Sequence, residues 1–171
     1  MKKTDEYKKP TLPAIWADFL DKPEWKWGWY GHFTFRDVVS PFDGRTHHVH
    51  PESASKAWDK WIHALNREAY GVKYWKDKSK GVVWARGTEF QHRDAIHFHA
   101  LIGMVPDTVR RMDYVDKWFN MAGIARIYEY QWGKGAEFYM SKSAYAWKRG
   151  EIDLGGPLAF HLDTNQGVIP F

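Results

Sequence analysis

Between Trp27 and Arg36 the chain alternates, with Trp29, Gly31, Phe33 and Phe35 on one side and Tyr30, His32, Thr34 and Arg36 on the other. A period of two marks a strand whose faces meet different surroundings. Ser40 to His50 reads as a loop, and Pro51 then opens a helix. Its apolar positions Ala54, Ala57, Trp58, Trp61, Ile62 and Leu65 keep helical spacing as far as Gly71. Gly81 to Phe90 and Ile96 to Gly103 read as two strands joined by a short polar turn. Asp107 is the expected cap of a second helix, Thr108 to Ala122, with Val109, Met112, Val115 and Phe119 inward and Gly123 closing it. A strand (Ile124 to Tyr130), a helix (about Lys134 to Trp147), a Gly-rich turn and a short last strand (Leu158 to Leu162) follow.

The order β, α, β, β, α, β, α, β predicts an α+β fold: a central antiparallel sheet of about five strands with helices packed on one face. The other face is left open for a ligand. Residues 1 to about 25 are polar and punctuated by Pro10, Pro13 and Pro23 around one apolar cluster at Ile15, Trp16 and Phe19. They read as a loosely attached leader with a short helical turn, which divides the chain into a leader (1–26) and one domain (27–171).

Composition narrows the chemistry. At 171 residues the chain holds one ordinary domain, so a single fold carries the function. A net charge of +4 suits a protein that meets phosphate on one face without by itself pointing to nucleic acid. The aromatic share of 18%, with 11 Trp, serves packing first and could also offer surfaces on which unpaired bases stack. No stretch approaches a membrane-spanning length and no secretory leader is apparent, so an intracellular protein is expected, cytoplasmic in a prokaryotic host. With no cysteine, any metal must be held by His, carboxylate or other oxygen ligands.

The chemistry-bearing segment is Glu89-Phe-Gln-His-Arg-Asp-Ala-Ile-His97-Phe-His99. Residues two apart on a strand share a face, so His97 and His99 stand together, while Ile96, Phe98, Ala100 and Ile102 occupy the face beneath the helices. If the turn is His92, Arg93 and Asp94, the register pairs Glu89 with His97, with Cβ atoms about 5 Å apart. One carboxylate and two imidazoles then surround a point. That set, with positions left for water and phosphate, suits Mg²⁺ or Mn²⁺, and zinc less well. His47, His48 and His50 form a second His-rich stretch in the loop, with no acidic partner in register.

On the late helix, Ala136, Met140, Ala144 and Trp147 cluster on one side, while Tyr139 and Lys142 share another. A tyrosine hydroxyl beside an ammonium group is set up to attack phosphate, because the cation favours phenolate and steadies the developing phosphoryl charge. Tyr145, the competing nucleophile, falls about 120° away around the helix.

With these residues together, the chain resembles the HUH endonuclease superfamily, and within it the rolling-circle replication initiators. His32-Phe33-Thr34-Phe35 resembles the family's first strand motif, His97-Phe98-His99 its His-hydrophobic-His pair, and Tyr139-Met140-Ser141-Lys142 its Tyr-x-x-Lys helix. Glu89 resembles its third metal ligand. The match spans about residues 27 to 145 and implies a ferredoxin-like HUH fold. It also implies that Tyr139 attacks a phosphodiester of single-stranded DNA at an origin or hairpin, leaving a 3′-hydroxyl and a 5′-phosphotyrosine. Tyr30, His32, Thr34, Arg36, Arg86 and Arg93 are the expected DNA contacts. A helicase, fused or supplied by the host, is the expected partner. No Walker-type Gly-x-x-x-x-Gly-Lys-Ser/Thr occurs, so a minimal initiator or an excised nicking domain is expected.

Three rivals remain open. HUH transposases also carry a late tyrosine, but usually with Gln where Lys142 stands. Two-histidine phosphoesterases need paired His-x-Thr/Ser motifs, of which His32-Phe33-Thr34 supplies one. A non-catalytic single-strand binding module would use the same face for stacking and phosphate contacts alone.

Overall fold

The computed structural model describes residues 12–90, 95–136 and 152–157. Within them lie α1 (Leu12–Leu20), β1 (Trp27–Thr34), β2 (Val38–Val39), β3 (Thr46–His47), α2 (Pro51–Tyr70), β4 (Val83–Phe90), β5 (Ile96–Gly103), α3 (Arg111–Met121), β6 (Ala125–Glu129) and β7 (Ile152–Gly155). The main sheet has five antiparallel strands in the order β6-β1-β5-β4-β7, and β2 with β3 forms a small separate hairpin. This is the expected α+β architecture, and no helix among the described residues is long and apolar enough to cross a membrane.

Alternation along the strands sorts the side chains onto two faces. Trp29, Phe33, Phe98, Ala100, Ile102, Ala125 and Ile127 pack against Trp58, Trp61 and Leu65 of α2 and Tyr114 and Trp118 of α3. The Phe33 ring is central, lying 5.0–5.2 Å from the ring centroids of Trp58, Trp61 and Trp118 in edge-to-face contacts. Two of the indoles satisfy their N–H groups within this core: Trp61 Nε1 donates to the Tyr114 carbonyl and Trp118 Nε1 to the Thr34 carbonyl, each at 3.0 Å.

On the opposite face, Leu20, Trp25, Trp27, Val83, Ala85 and Leu101 form a second cluster. The register slips between Trp27 and Trp29, and this irregularity accompanies the transfer of Trp27 to that face. Trp27 Nε1 donates to the Leu20 carbonyl at 2.7 Å, tying α1 to the sheet. The segment expected as a loose leader is therefore anchored through Leu20 and Trp25. The face expected to be open is covered at one end.

Three further differences have physical causes. The second helix starts at Arg111 rather than Thr108, because the chain first makes a turn in which Val109 N–H bonds the Pro106 carbonyl, and Asp107 is not its cap. Tyr114 and Trp118 are its buried residues, whereas Met112 and Phe119 are each 53% exposed. Val109 is buried and Val115 packs on the core as expected, but the large rings of Tyr114 and Trp118, whose polar atoms bond Glu68 and the Thr34 carbonyl, take the places expected for Met112 and Phe119. Finally, Ile152–Gly155, read as a Gly-rich turn, is a strand on the outer edge of β4. Lys134 and Gly135 precede rather than open a helix, and the expected last strand over 158–162 lies outside the described residues.

Arg86 shows how β7 is held. It is buried on the helix face, where its Nε and Nη2 bond the Asp153 carboxylate and its guanidinium lies 4.4 Å from the Phe98 ring centroid. Removing the carboxylate strands a buried charge, whereas replacing the arginine with an apolar chain does not. Asp153→Ala is expected to cost about 2–3 kcal/mol in urea unfolding, and Arg86→Met less than that. Equal losses would show that the ion pair, rather than the stranded charge, sets the cost.

Candidate metal centre and nucleic-acid face

The register that pairs Glu89 with His97 is present, and β1 then brings a third imidazole to the same place. In successive rows across the sheet, Thr34, His97 and Glu89 lie side by side, then Arg126, His32, His99 and Gly87, then Tyr128, Tyr30, Leu101 and Ala85. All of these project away from the aromatic core by strand alternation. The last row runs into the cluster beneath α1, so the histidines occupy the uncovered end.

His32, His97 and His99 each offer a ring nitrogen, and these atoms lie within 4.8 Å of one another. Among the described residues this is the one group of three or more His, Asp or Glu side chains close enough to share an ion. Ring centroids are 4.6 Å apart for His97 and His99, 4.7 Å for His32 and His99. Glu89, 48% exposed at its side chain, accepts from His99 Nε2 at 2.9 Å. Its carboxylate therefore reaches the triad diagonally across β4 and β5, while His32 is the direct cross-strand neighbour of His99.

Burial, followed by the neighbouring His99, holds the His97 imidazole down to about 4; burial, His99 and Arg126, in that order, do the same for His32. Both rings are neutral at pH 7, the form that offers a lone pair to a metal. The His97 Nδ1 is buried with no hydrogen-bond partner. An orphaned buried nitrogen is costly unless something fills its coordination, so the residues fit a divalent cation.

The expected DNA contacts divide. Tyr30 and His32 stand on the site face, their rings 4.8 Å apart. Thr34 shares that face, but its hydroxyl donates to the Ile124 carbonyl at 3.0 Å. Arg36 lies beyond the end of β1, bonded to the Phe119 carbonyl and 4.6 Å from the Phe119 ring centroid, so α3 engages it. Arg86, expected on the ligand face, is buried on the other, because its place in β4 is one residue out of phase with Glu89 and Gly87. Arg93, Tyr139 and Lys142 lie outside the described residues. The second His-rich stretch is exposed and separate: His48 Nδ1 pairs with Asp37 at 2.7 Å, and His50 caps α2 by accepting from Glu52 N–H.

Sequence reasoning assigned His32 to DNA rather than to the metal group, and passed over Arg126 and Tyr128. The signal for the last two was the alternation Ala125-Arg126-Ile127-Tyr128, which puts both opposite the apolar pair. What it lacked was the knowledge that this strand lies beside β1. Comparison of the chain with protein-family models, curated proteins and solved structures found no match.

His32→Ala is expected to lower Mn²⁺ affinity at least tenfold, comparably to His99→Ala, whereas Thr34→Ala leaves it unchanged. Isothermal titration calorimetry reads all three. Unchanged affinity in His32→Ala would remove His32 from the ligand set.

Proposed function

We propose that this chain is a metal-dependent single-strand DNA endonuclease and strand transferase of the HUH type, which nicks by tyrosine attack to initiate rolling-circle replication. The observation that carries the reading is the gathering of His32, His97, His99 and Glu89 at the uncovered end of one sheet face, with the exposed Arg126 in the same row. A binding module has no need of three imidazoles gathered around one point, two of them buried. Support also comes from the order of motifs along the chain, with Tyr139 three residues on from Ala136, which lines a cavity shared with His32.

His97 and His99 would hold the ion with His32, and Glu89 would hold His99 in orientation or complete the set. A bound divalent cation supplies positive charge to a phosphoryl oxygen and fixes the scissile phosphate. Nitrogen-rich ligation favours Mn²⁺ over Mg²⁺, which keeps to oxygen donors. Arg126, exposed and paired across the strands with His32, would meet the phosphate's remaining charge. The Tyr139 oxygen forms a bond to phosphorus as the bond to the 3′-oxygen breaks. The phenol loses its proton, the departing oxygen gains one, and the 5′-phosphate stays on the tyrosine. Attack by another 3′-hydroxyl reverses the step. Lys142 steadies the phenolate and the phosphoryl charge. The proposed setting is intracellular, on an origin or hairpin single strand, with a helicase opening the duplex.

Incubation of a random single-stranded library with Mn²⁺ is expected to give cleavage and a covalent protein adduct on a denaturing gel, both lost in excess EDTA. Tyr139→Phe removes one oxygen, so it should keep folding, metal binding and DNA affinity while losing nicking and adduct together. Lys142→Ala should slow adduct formation without abolishing it. Mass spectrometry of the trapped peptide identifies the nucleophile: a nucleotide on Tyr145 would move it, cleavage without an adduct would mean water attacks, and no cleavage would favour a binding module.

A further inference from the structure

Next to the triad the same sheet face opens into a cavity of about 470 Å³, whose lining includes Tyr30 and His32 of β1, Tyr128 and Glu129 of β6, and Lys134 and Ala136 of the segment that follows. Its volume is that of a small-ligand site, in the range of about 300–1,000 Å³. His32 belongs to both the cavity and the metal group, so whatever fills the cavity touches the centre where the phosphate would be held.

The walls say what kind of group fits. Tyr30 and Tyr128 are direct cross-strand partners on one face, one row from the His32–Arg126 pair and so about 7 Å along the strands. The Tyr128 side chain is large and half exposed in a row that continues through the partly buried Tyr30 to the buried Leu101 and Ala85. Tyr128 meets the His32 ring edge-on, centroids 6.3 Å apart, and leaves half its surface to solvent, where a flat ligand can stack. The exposed Lys134 lines the cavity together with Glu129, and Arg126 stands outside the lining as the cross-strand partner of His32. An aromatic pair beside the centre where a phosphate would be held, with a lysine among the other lining residues, matches a base followed by a second phosphate.

We propose that this cavity seats one unpaired nucleobase, the neighbour of the phosphate held at the histidine triad, stacked on Tyr128 and bordered by Tyr30, with Lys134 at the next phosphate. The proposal rests on the single-strand DNA reading above and adds to it the groups that choose where along the strand the centre falls. Stacking tolerates every base, so Tyr128 contributes affinity and position rather than sequence preference.

The test separates binding from nicking. Anisotropy of a short mixed-sequence single strand, with excess EDTA so that no cleavage enters, is expected to show Tyr128→Ala binding roughly tenfold more weakly than the unaltered protein. Tyr128→Phe, which keeps the ring, should restore affinity. 2-Aminopurine moved position by position through the strand should be quenched most at one site, and that quench should disappear in Tyr128→Ala. Lys134→Ala should reduce the salt dependence of binding by about one phosphate contact. Circular dichroism checks that each variant is folded. Equal affinity in folded Tyr128→Ala, or uniform 2-aminopurine emission at every position, overturns the pocket, and nicking by the unaltered protein with Mn²⁺ would then leave the endonuclease reading standing. Tyr128-dependent binding and quenching in a protein that neither nicks nor forms an adduct supports the pocket and overturns that reading instead.

Discussion

The register in which β1, β5 and β4 pair is the constraint on which the candidate centre depends. Side chains alternate with a period of two, so a slip of one residue would send the histidines under the helices and the core apolar set to solvent. What prevents the slip is the aromatic core on the other face. Phe33 and Phe98 sit opposite each other on β1 and β5, with Trp58, Trp61 and Trp118 packed around Phe33. Burying polar imidazoles in place of those rings would cost far more than any compensating contact returns.

That same packing sets the electrostatics. His97 and His99 are buried although they stand on the face away from α2 and α3, because the neighbouring strands crowd them and a second cluster closes the far end of that face. Burial disfavours the imidazolium of His97 and of His32, and the neighbouring His99 disfavours charge on both. The outcome is two neutral nitrogen donors at neutral pH, His32 and His97, beside His99 and with a carboxylate at the rim. Exposed histidines would compete with protons for their ligand through the physiological range; His32 and His97 do not.

Arginines illustrate how position in the sheet outweighs residue type. Arg86 and Arg126 both lie on strands beside the site, yet Arg86 points into the core, where Asp153 neutralises it, and Arg126 points to the histidines. Arg36, one residue pair past the end of β1, is drawn to α3. A basic residue near a motif is thus no guide to the ligand face until its strand phase and its neighbour strand are known.

The sequence by itself determined the α+β class, the phase of β1 and the Pro51 helix, because each follows from local periodicity, and it made the pairing of Glu89 with His97 the consequence of one assumed turn, a register that the sheet has. It also fixed that His97 and His99 share a face. Only the tertiary structure decided that β1 lies against β5 and β6 against β1, which turned His32 from an expected DNA contact into a member of the metal group and brought Arg126 and Tyr128 beside it. It likewise decided that α1 covers one end of the open face and that Tyr114 and Trp118, rather than Met112 and Phe119, turn inward from α3. These are contacts between segments tens of residues apart, chosen by the joint packing of large rings and the need of each sheet edge for a partner, and no local pattern along the chain encodes which distant strand supplies it.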